Sequence, residues 1–199
     1  MPYTEKFERA LIYASRLHKD QCRKGTRVPY ITHLLAVAAI VGENGGTEDE
    51  AVAALLHDAP EDRGGETTLE DIRARFGAEV AKIVAGCTDT YEDPKPPWRE
   101  RKETYVAHLD DASDSVRLVS SADKLHNART VLSDYRALGE DLWDRFNGGR
   151  EGTLWYYRAI VDSLRKGDGG PVVEELDRVV TELERLAGAR LRAEGAQLT

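Results

Sequence analysis

The run Ala53-Ala54-Leu55-Leu56-His57-Asp58-Ala59-Pro60-Glu61-Asp62 constrains this chain more than any other stretch of it. Its first half favours burial; its second half favours water, a proton or a metal. A helix that carries Leu55 and Leu56 into a core also delivers His57 and Asp58 to its buried end. An uncompensated charge there is costly. A divalent cation shared by the imidazole and the carboxylate removes the conflict, provided that other segments bring further ligands. Pro60 is expected to stop the helix, because continuing would lose a hydrogen bond and clash one turn back.

Strand signals are almost absent, and apolar residues recur at helical spacing. Helices are expected from about Tyr3 to Cys22, over Thr32–Val41, from Thr47 to about Asp58, and from Thr67 to Phe76, where Gly77 closes the helix. Further helices are expected over Ala78–Cys87, Arg99–Leu109, Asp114–Leu132 and Leu154–Leu164. Thr47-Glu48-Asp49-Glu50 and Thr67-Thr68-Leu69-Glu70 both read as capping boxes. Between the first two helices, Arg23-Lys24-Gly25-Thr26-Arg27-Val28-Pro29-Tyr30 is a loop rich in cations and turn residues. Asp89 to Trp98, with Asp93-Pro94-Lys95-Pro96-Pro97, is the least regular stretch and the expected mobile loop. Lys166-Gly167-Asp168-Gly169-Gly170 is the clearest linker. Beyond it, Val172, Leu176, Val179, Val180, Leu183 and Leu186 make one helical stripe, to be covered by the same domain or by a partner subunit.

The expected fold class is therefore all-α, a single globular domain over residues 1–166, with residues 167–199 as linker and last helix. The balance of 28 Lys and Arg against 36 Asp and Glu, a net charge of −8, argues against a nucleic-acid polymer as partner. The longest apolar run, Leu34 to Val41, falls far short of the ~18–20 residues of a membrane span. Met1-Pro2-Tyr3-Thr4-Glu5-Lys6 lacks the basic start and apolar stretch of a signal peptide, so the expectation is a cytoplasmic protein. Cys22 and Cys87, with no Cys-x-x-Cys, are expected to be reduced thiols. His18 and His108 have no companions in the pattern and are expected at the surface.

Chemistry concentrates on three helices. His33 opens the second; His57-Asp58 closes the third; Asp123 lies inside Ser120-Ser121-Ala122-Asp123-Lys124-Leu125-His126-Asn127-Ala128-Arg129. An adjacent His-Asp pair is a weak signal, and a lone histidine beside an apolar run usually packs in a core. Asp123 adds weight because it falls between Val119, Ala122 and Leu125, where a helix faces inward and an aspartate needs a partner. In this order the residues resemble the HD superfamily of metal-dependent phosphohydrolases. Arg23-Lys24 before Pro29-Tyr30-Ile31-Thr32-His33, then Leu55-Leu56-His57-Asp58-x-x-Glu61-Asp62, Phe76-Gly77, Gly86-Cys87-Thr88 and Ala122 to Arg129 resemble the RelA/SpoT hydrolase domain, above all its stand-alone form, the small alarmone hydrolases. The resemblance spans roughly residues 5 to 165.

That resemblance implies a set of roles. His33, His57, Asp58 and Asp123 would hold the metal, Mn²⁺ by family, although two imidazoles and two carboxylates also suit other first-row divalent ions. Glu61 and Asp62 would orient and deprotonate the attacking water or protonate the leaving oxygen. Arg23 and Lys24 would grip phosphate or stack on a purine, Asn127 would lie near the nucleoside, and Tyr156 would line the substrate pocket. His126 reads as a residue behind the ligands or in the packing. The implied reaction removes a 3′-pyrophosphate from a guanosine or adenosine alarmone, (p)ppGpp or (p)ppApp. The alternatives are another HD nucleotide phosphohydrolase (a nucleotidase or a phosphatase of phosphorylated dinucleotide cofactors) and a non-catalytic nucleotide sensor. The expected partner is a small-molecule nucleotide, with no membrane, and the chain is expected as a monomer or homodimer. Pro60 replaces a residue that is usually aliphatic in the alarmone hydrolases and is expected to alter the turn that aims Glu61 and Asp62.

Overall fold

A computed structural model describes residues 2–92, 94–167 and 169–197, with side chains described as far as residue 188. Asp93 of the proline-rich loop and Asp168 of the linker lie outside the described residues. The fold is all-α: α1 (Glu5–Leu17), α2 (Ile31–Glu43), α3 (Glu48–Leu56), α4 (Ala59–Asp62), α5 (Gly65–Phe76), α6 (Ala78–Cys87), α7 (Trp98–Asp110), α8 (Asp114–Leu138), a 3₁₀ turn (Gly139–Arg145), α9 (Gly149–Leu164) and α10 (Gly170–Gln197). Among the described residues the only extended pairing is an isolated antiparallel bridge between Cys22 and Pro29. No described helix is long and apolar enough to cross a membrane.

Helix α3 is the axis of the molecule. Ala51 to Leu56 are all buried, and α1, α2, α6 and α8 pack around it. A helix apolar on every side needs neighbours on every side, and this one delivers its C-terminal cap, His57, into the middle of the domain. Its start is fixed by a capping box: Glu50 N–H donates to the Thr47 hydroxyl while Thr47 N–H donates to Glu50 Oε2.

Pro60 acts differently from expectation. Helix α3 already ends at Leu56, and Pro60 lies in the first turn of α4, where a missing N–H breaks no helical bond. The second expected capping box does not form. Helix α5 begins at Gly65, after Gly64 at φ 105°, a conformation that favours glycine. Thr67 and Thr68 are inside the helix, and the Thr68 hydroxyl donates to the Arg63 carbonyl. Helix α1 stops at Leu17, five residues short of Cys22, because residues 21–30 fold back on themselves: Arg23 N–H donates to Val28 O and Tyr30 N–H to Gln21 O. Gly25, at φ 72°, makes the tip of that loop.

Helix α10 lies against α8 and α9. Val172, Val173, Leu176, Val179, Val180, Leu183 and Ala187 are buried there. Arg158 of α9 locks the contact by bonding Asp177, Thr181 and Glu184 of α10.

Candidate metal centre and substrate cavity

The start of α2, the end of α3 and the middle of α8 meet at one point. His33 and His57 are buried, and the ligand atoms of His33, His57 and Asp58 all lie within 4.8 Å of one another. His33 Nε2 is 3.5 Å from Asp58 Oδ2 and 3.1 Å from Asp123 Oδ1; His57 Nε2 is 3.1 Å and 3.6 Å from the same two oxygens. Yet neither Nε2 makes a hydrogen bond. Four donor atoms converge without N–H bonds aligned between them, an arrangement that a shared cation fits. The donor set of imidazole nitrogen and carboxylate oxygen suits a first-row divalent ion.

The electrostatics agree. Burial opposes charge on His57, but Asp58 and Asp123 hold its pKa well above the usual histidine value. Burial raises Asp58 and Asp123 as well, and is outweighed: His57 and His33 keep Asp58 well below the carboxylate range, and Lys124 with the histidines does so for Asp123. A proton trapped on His57 offsets the two carboxylates only in part; a divalent cation fits that excess of negative charge.

The groups behind the ligands set their direction. His57 Nδ1 is 2.8 Å from the Ala54 carbonyl, so it carries a ring proton, and Nε2 is the nitrogen that a cation would take in place of the second proton. His33 Nδ1 is 2.7 Å from His126 Nδ1. For His33 Nε2 to be a ligand, His33 must donate here and His126 must accept. Burial, then the neighbouring His33 and Arg23, push the His126 pKa down to about 4, which keeps it neutral and able to accept. Tyr30 donates to Asp58 Oδ2 at 2.6 Å. Asp123 Oδ1 accepts from Asn127 at 2.5 Å and Oδ2 from Lys124 at 2.6 Å.

Two cavities flank this centre. One, of about 330 Å³, is lined by Arg23, Lys24, Tyr30, Trp98, Lys102, Lys124, Asn127, Asp134, Arg145, Phe146 and Tyr156, among others. It therefore gathers all four residues expected to bind substrate, Arg23, Lys24, Asn127 and Tyr156. Among the described residues Asp134 is the only carboxylate in its lining, paired with Arg145 at 3.1 Å, while Lys102 and Lys124 pair with Asp89 and Asp123 just outside it. In an acidic chain this is a local excess of positive charge. Arg23 Nη2 donates to Asn127 Oδ1 at 2.5 Å, tying the loop to α8. Lys102 and Lys124 lie 5.0 Å and 6.0 Å from the Tyr156 ring centre. Trp98 belongs to α7 rather than to the preceding loop, and Arg101 and Lys102 of the same helix both bond Asp89, Lys102 at 2.7 Å.

Glu61 and Asp62 line the other cavity, of about 700 Å³, with Gly64, Glu66, Tyr91 and Lys95. Lys95 donates to Glu61 Oε1 at 2.8 Å, so the proline-rich loop reaches over this acid. Gln21 donates to Asp62 Oδ2 at 2.7 Å. Burial, then repulsion from Asp58, raises the Asp62 pKa. Asp58 lies between residues of the two: it bonds Tyr30 of the first and precedes the α4 turn that carries Glu61 and Asp62 of the second.

Two residues here had no role legible in the sequence: Tyr30 and Gln21. His18 is a correction. It is 2% exposed, not at the surface, and stacks on Tyr30 at 5.2 Å. The spacing Ala10, Ala14, His18 placed it on the buried face of α1, and that periodicity was the available signal.

Residues 10–155 match the family described as HD domain. The chain belongs to the HD superfamily. Within this superfamily of metal-dependent phosphohydrolases it resembles the RelA/SpoT-type hydrolases. It is 44% identical over 122 residues to the guanosine-3′,5′-bis(diphosphate) 3′-pyrophosphohydrolase MESH1 of Xenopus tropicalis, covering 60% of this chain and 65% of that one. The chain thus spans just under two thirds of that relative's length. The Drosophila melanogaster MESH1 is 35% identical over 177 residues, covering 87% of this HD protein and 92% of its own length. A solved structure of a metazoan ortholog of SpoT that hydrolyzes ppGpp superimposes with a TM-score of 0.77 at 28% identity, covering 92% of this chain and 97% of that one.

Proposed function

We propose that this HD protein hydrolyses the 3′-pyrophosphate of guanosine or adenosine alarmones, (p)ppGpp or (p)ppApp, and releases pyrophosphate. The observation that carries this reading is the convergence of His33, His57 and Asp58 beside a cavity lined by Arg23, Lys24, Lys102 and Lys124. A tetra- or penta-anionic nucleotide matches that cavity, and a pyrophosphate ester matches the ligand cluster. The MESH1 relatives carry the guanosine activity in their name, which supports the guanosine form. The hydrolase unit is residues 1–166, and α10 braces it through residues 172–187. The protein works in the cytoplasm as a monomer or homodimer.

The metal assigned is Mn²⁺, with Asp123 as the fourth ligand. When bound, a divalent cation supplies a Lewis acid and lowers the pKa of water toward neutrality. The chain does the remainder. Arg23, Lys24, Lys102 and Lys124 offset the phosphate charges and orient them, Arg23 being held in place by Asn127. Tyr156 packs against the nucleoside. Asp62 takes a proton from the attacking water at the oxygen that Gln21 leaves open, Oδ1, and Glu61 orients that water. The new bond joins water oxygen to phosphorus; the bond that breaks joins phosphorus to the 3′-oxygen, which leaves as the hydroxyl with the returned proton.

The test is a panel of 3′-pyrophosphorylated guanosine and adenosine nucleotides with Mn²⁺, read by product identity. Pyrophosphate is expected, and Asp62→Asn is expected to lower kcat about a hundredfold. Orthophosphate as the sole product would place the chain among other HD phosphohydrolases. Tight nucleotide binding with no product would make it a sensor.

A further inference from the structure

His18 is a buried titratable group that the reaction described above does not use. Its Nδ1 lies 2.8 Å from Gln21 Oε1, and Gln21 Nε2 donates to Asp62 Oδ2 at 2.7 Å. Chemistry fixes every direction in this chain of bonds. A carboxylate only accepts, so the Gln21 nitrogen must point at Asp62. The Gln21 oxygen then points at His18, and His18 must carry its proton on Nδ1. Arg63 Nη2 donates to the same Gln21 oxygen at 3.3 Å, which also requires oxygen on that side.

The surroundings hold His18 in this form. Its Nε2 is buried with no hydrogen-bond partner. A proton there would be stranded, whereas a bare lone pair is the cheaper group to leave unpaired. The ring stacks on Tyr30, which donates to Asp58. The charged groups facing it are Asp62, Asp58 and Arg63, and burial outweighs them to keep the imidazole neutral.

We infer that His18 is a positioning residue for the reaction: through Gln21 it holds the Asp62 carboxylate with Oδ2 engaged and Oδ1 left for the proton in transit. Without the Nδ1 proton, the Gln21 amide is free to turn its oxygen toward Asp62, and the carboxylate loses its anchor. The inference rests on the reading of Asp62 as the residue that moves the proton.

Two substitutions separate the ring nitrogens. In His18→Asn the side-chain amide nitrogen replaces Nδ1; in His18→Gln it replaces Nε2. With the full-length Mn²⁺-loaded enzyme and guanosine 3′-pyrophosphates, H18N is expected to keep kcat within about twofold, while H18Q and Gln21→Leu lose about tenfold in kcat, with KM and Mn²⁺ affinity unchanged. Equal losses in H18N and H18Q, or losses that appear in KM or metal affinity, would overturn the relay. Nitrogen NMR of wild-type His18 gives a readout independent of turnover: the Nδ1–H tautomer is expected, and the Nε2–H tautomer overturns the proposal. No turnover by the wild type, or full turnover by Asp62→Asn, overturns the reading of Asp62 and the relay's catalytic role with it.

Discussion

The Tyr30 hydroxyl donates to Asp58 Oδ2 at 2.6 Å, so a residue of the cationic loop holds a residue of the metal cluster. The contact is one of three that join the cationic cavity to the candidate ligands, with those of Asn127 and Lys124 to Asp123; Tyr30 lines that cavity and stacks on His18. Burial, then Asp58 and Asp62, raises the Tyr30 pKa, so the phenol stays a donor at any working pH.

Tyr30→Phe keeps the ring and removes this donor. Groups behind metal ligands typically contribute about 10–100-fold to metal affinity. Titration calorimetry of Mn²⁺ into metal-free Y30F is expected to show an affinity about tenfold weaker than wild type. An unchanged affinity would mean that Asp58 is oriented by its backbone alone.

His126 predicts a pH dependence of the metal-free protein. Its folded pKa is about 4 against the usual 6.5, so the folded state favours the neutral ring. A histidine with a depressed folded pKa contributes stability that is present above its unfolded value and is lost as pH falls through the folded one. Denaturant midpoints of wild type should therefore fall from about pH 6.5 to about pH 4 more steeply than those of His126→Asn. Carboxylates that titrate in this window are common to both proteins, so the difference between them isolates His126. Parallel curves would contradict the burial of this ring against His33.

The brace formed by α10 can be tested separately from the chemistry. Leu176 is fully buried between α10 and its neighbours. Leu176→Ala is expected to cost about 2–5 kcal/mol in urea unfolding, by lost transfer energy and a residual cavity. Arg136→Ala, at an exposed pair with Glu182, is expected to change stability by under about 1 kcal/mol. Mn²⁺ affinity should be unchanged in both, because both residues belong to the contact of α10 with α8 and α9 and not to the candidate ligand cluster. A loss of metal affinity in L176A would show that α10 shapes the centre and does not only brace it.

Much of this architecture is legible from residue order. The apolar run into His57-Asp58, the inward Asp123 and the capping box at Thr47 each have a local cause, and each local cause acts in the fold. The misreadings have causes too. Thr67 to Glu70 has the composition of a capping box, but Gly64 and Gly65 start the helix earlier and leave Thr68 to bond Arg63. Pro60 looks like a helix stop because a proline in the sequence does not reveal whether a helix is ending or beginning around it. Tyr30 and Gln21 belong to a loop, and loops have no period from which a direction can be read. His18 was readable from the Ala10 and Ala14 spacing, yet nothing in the chain order says that Asp62 waits beyond Gln21. Contacts of that kind arise only when α1 and α4 are brought together by the core.

The most direct measurement is hydrolysis of a guanosine 3′-pyrophosphate by the Mn²⁺-loaded protein in water labelled with heavy oxygen. Attack of water on phosphorus, with Asp62 as the proton acceptor, predicts that one labelled oxygen enters the released pyrophosphate and none enters the nucleotide. Label in the nucleotide's 3′-hydroxyl, or the absence of pyrophosphate among the products, would contradict the account.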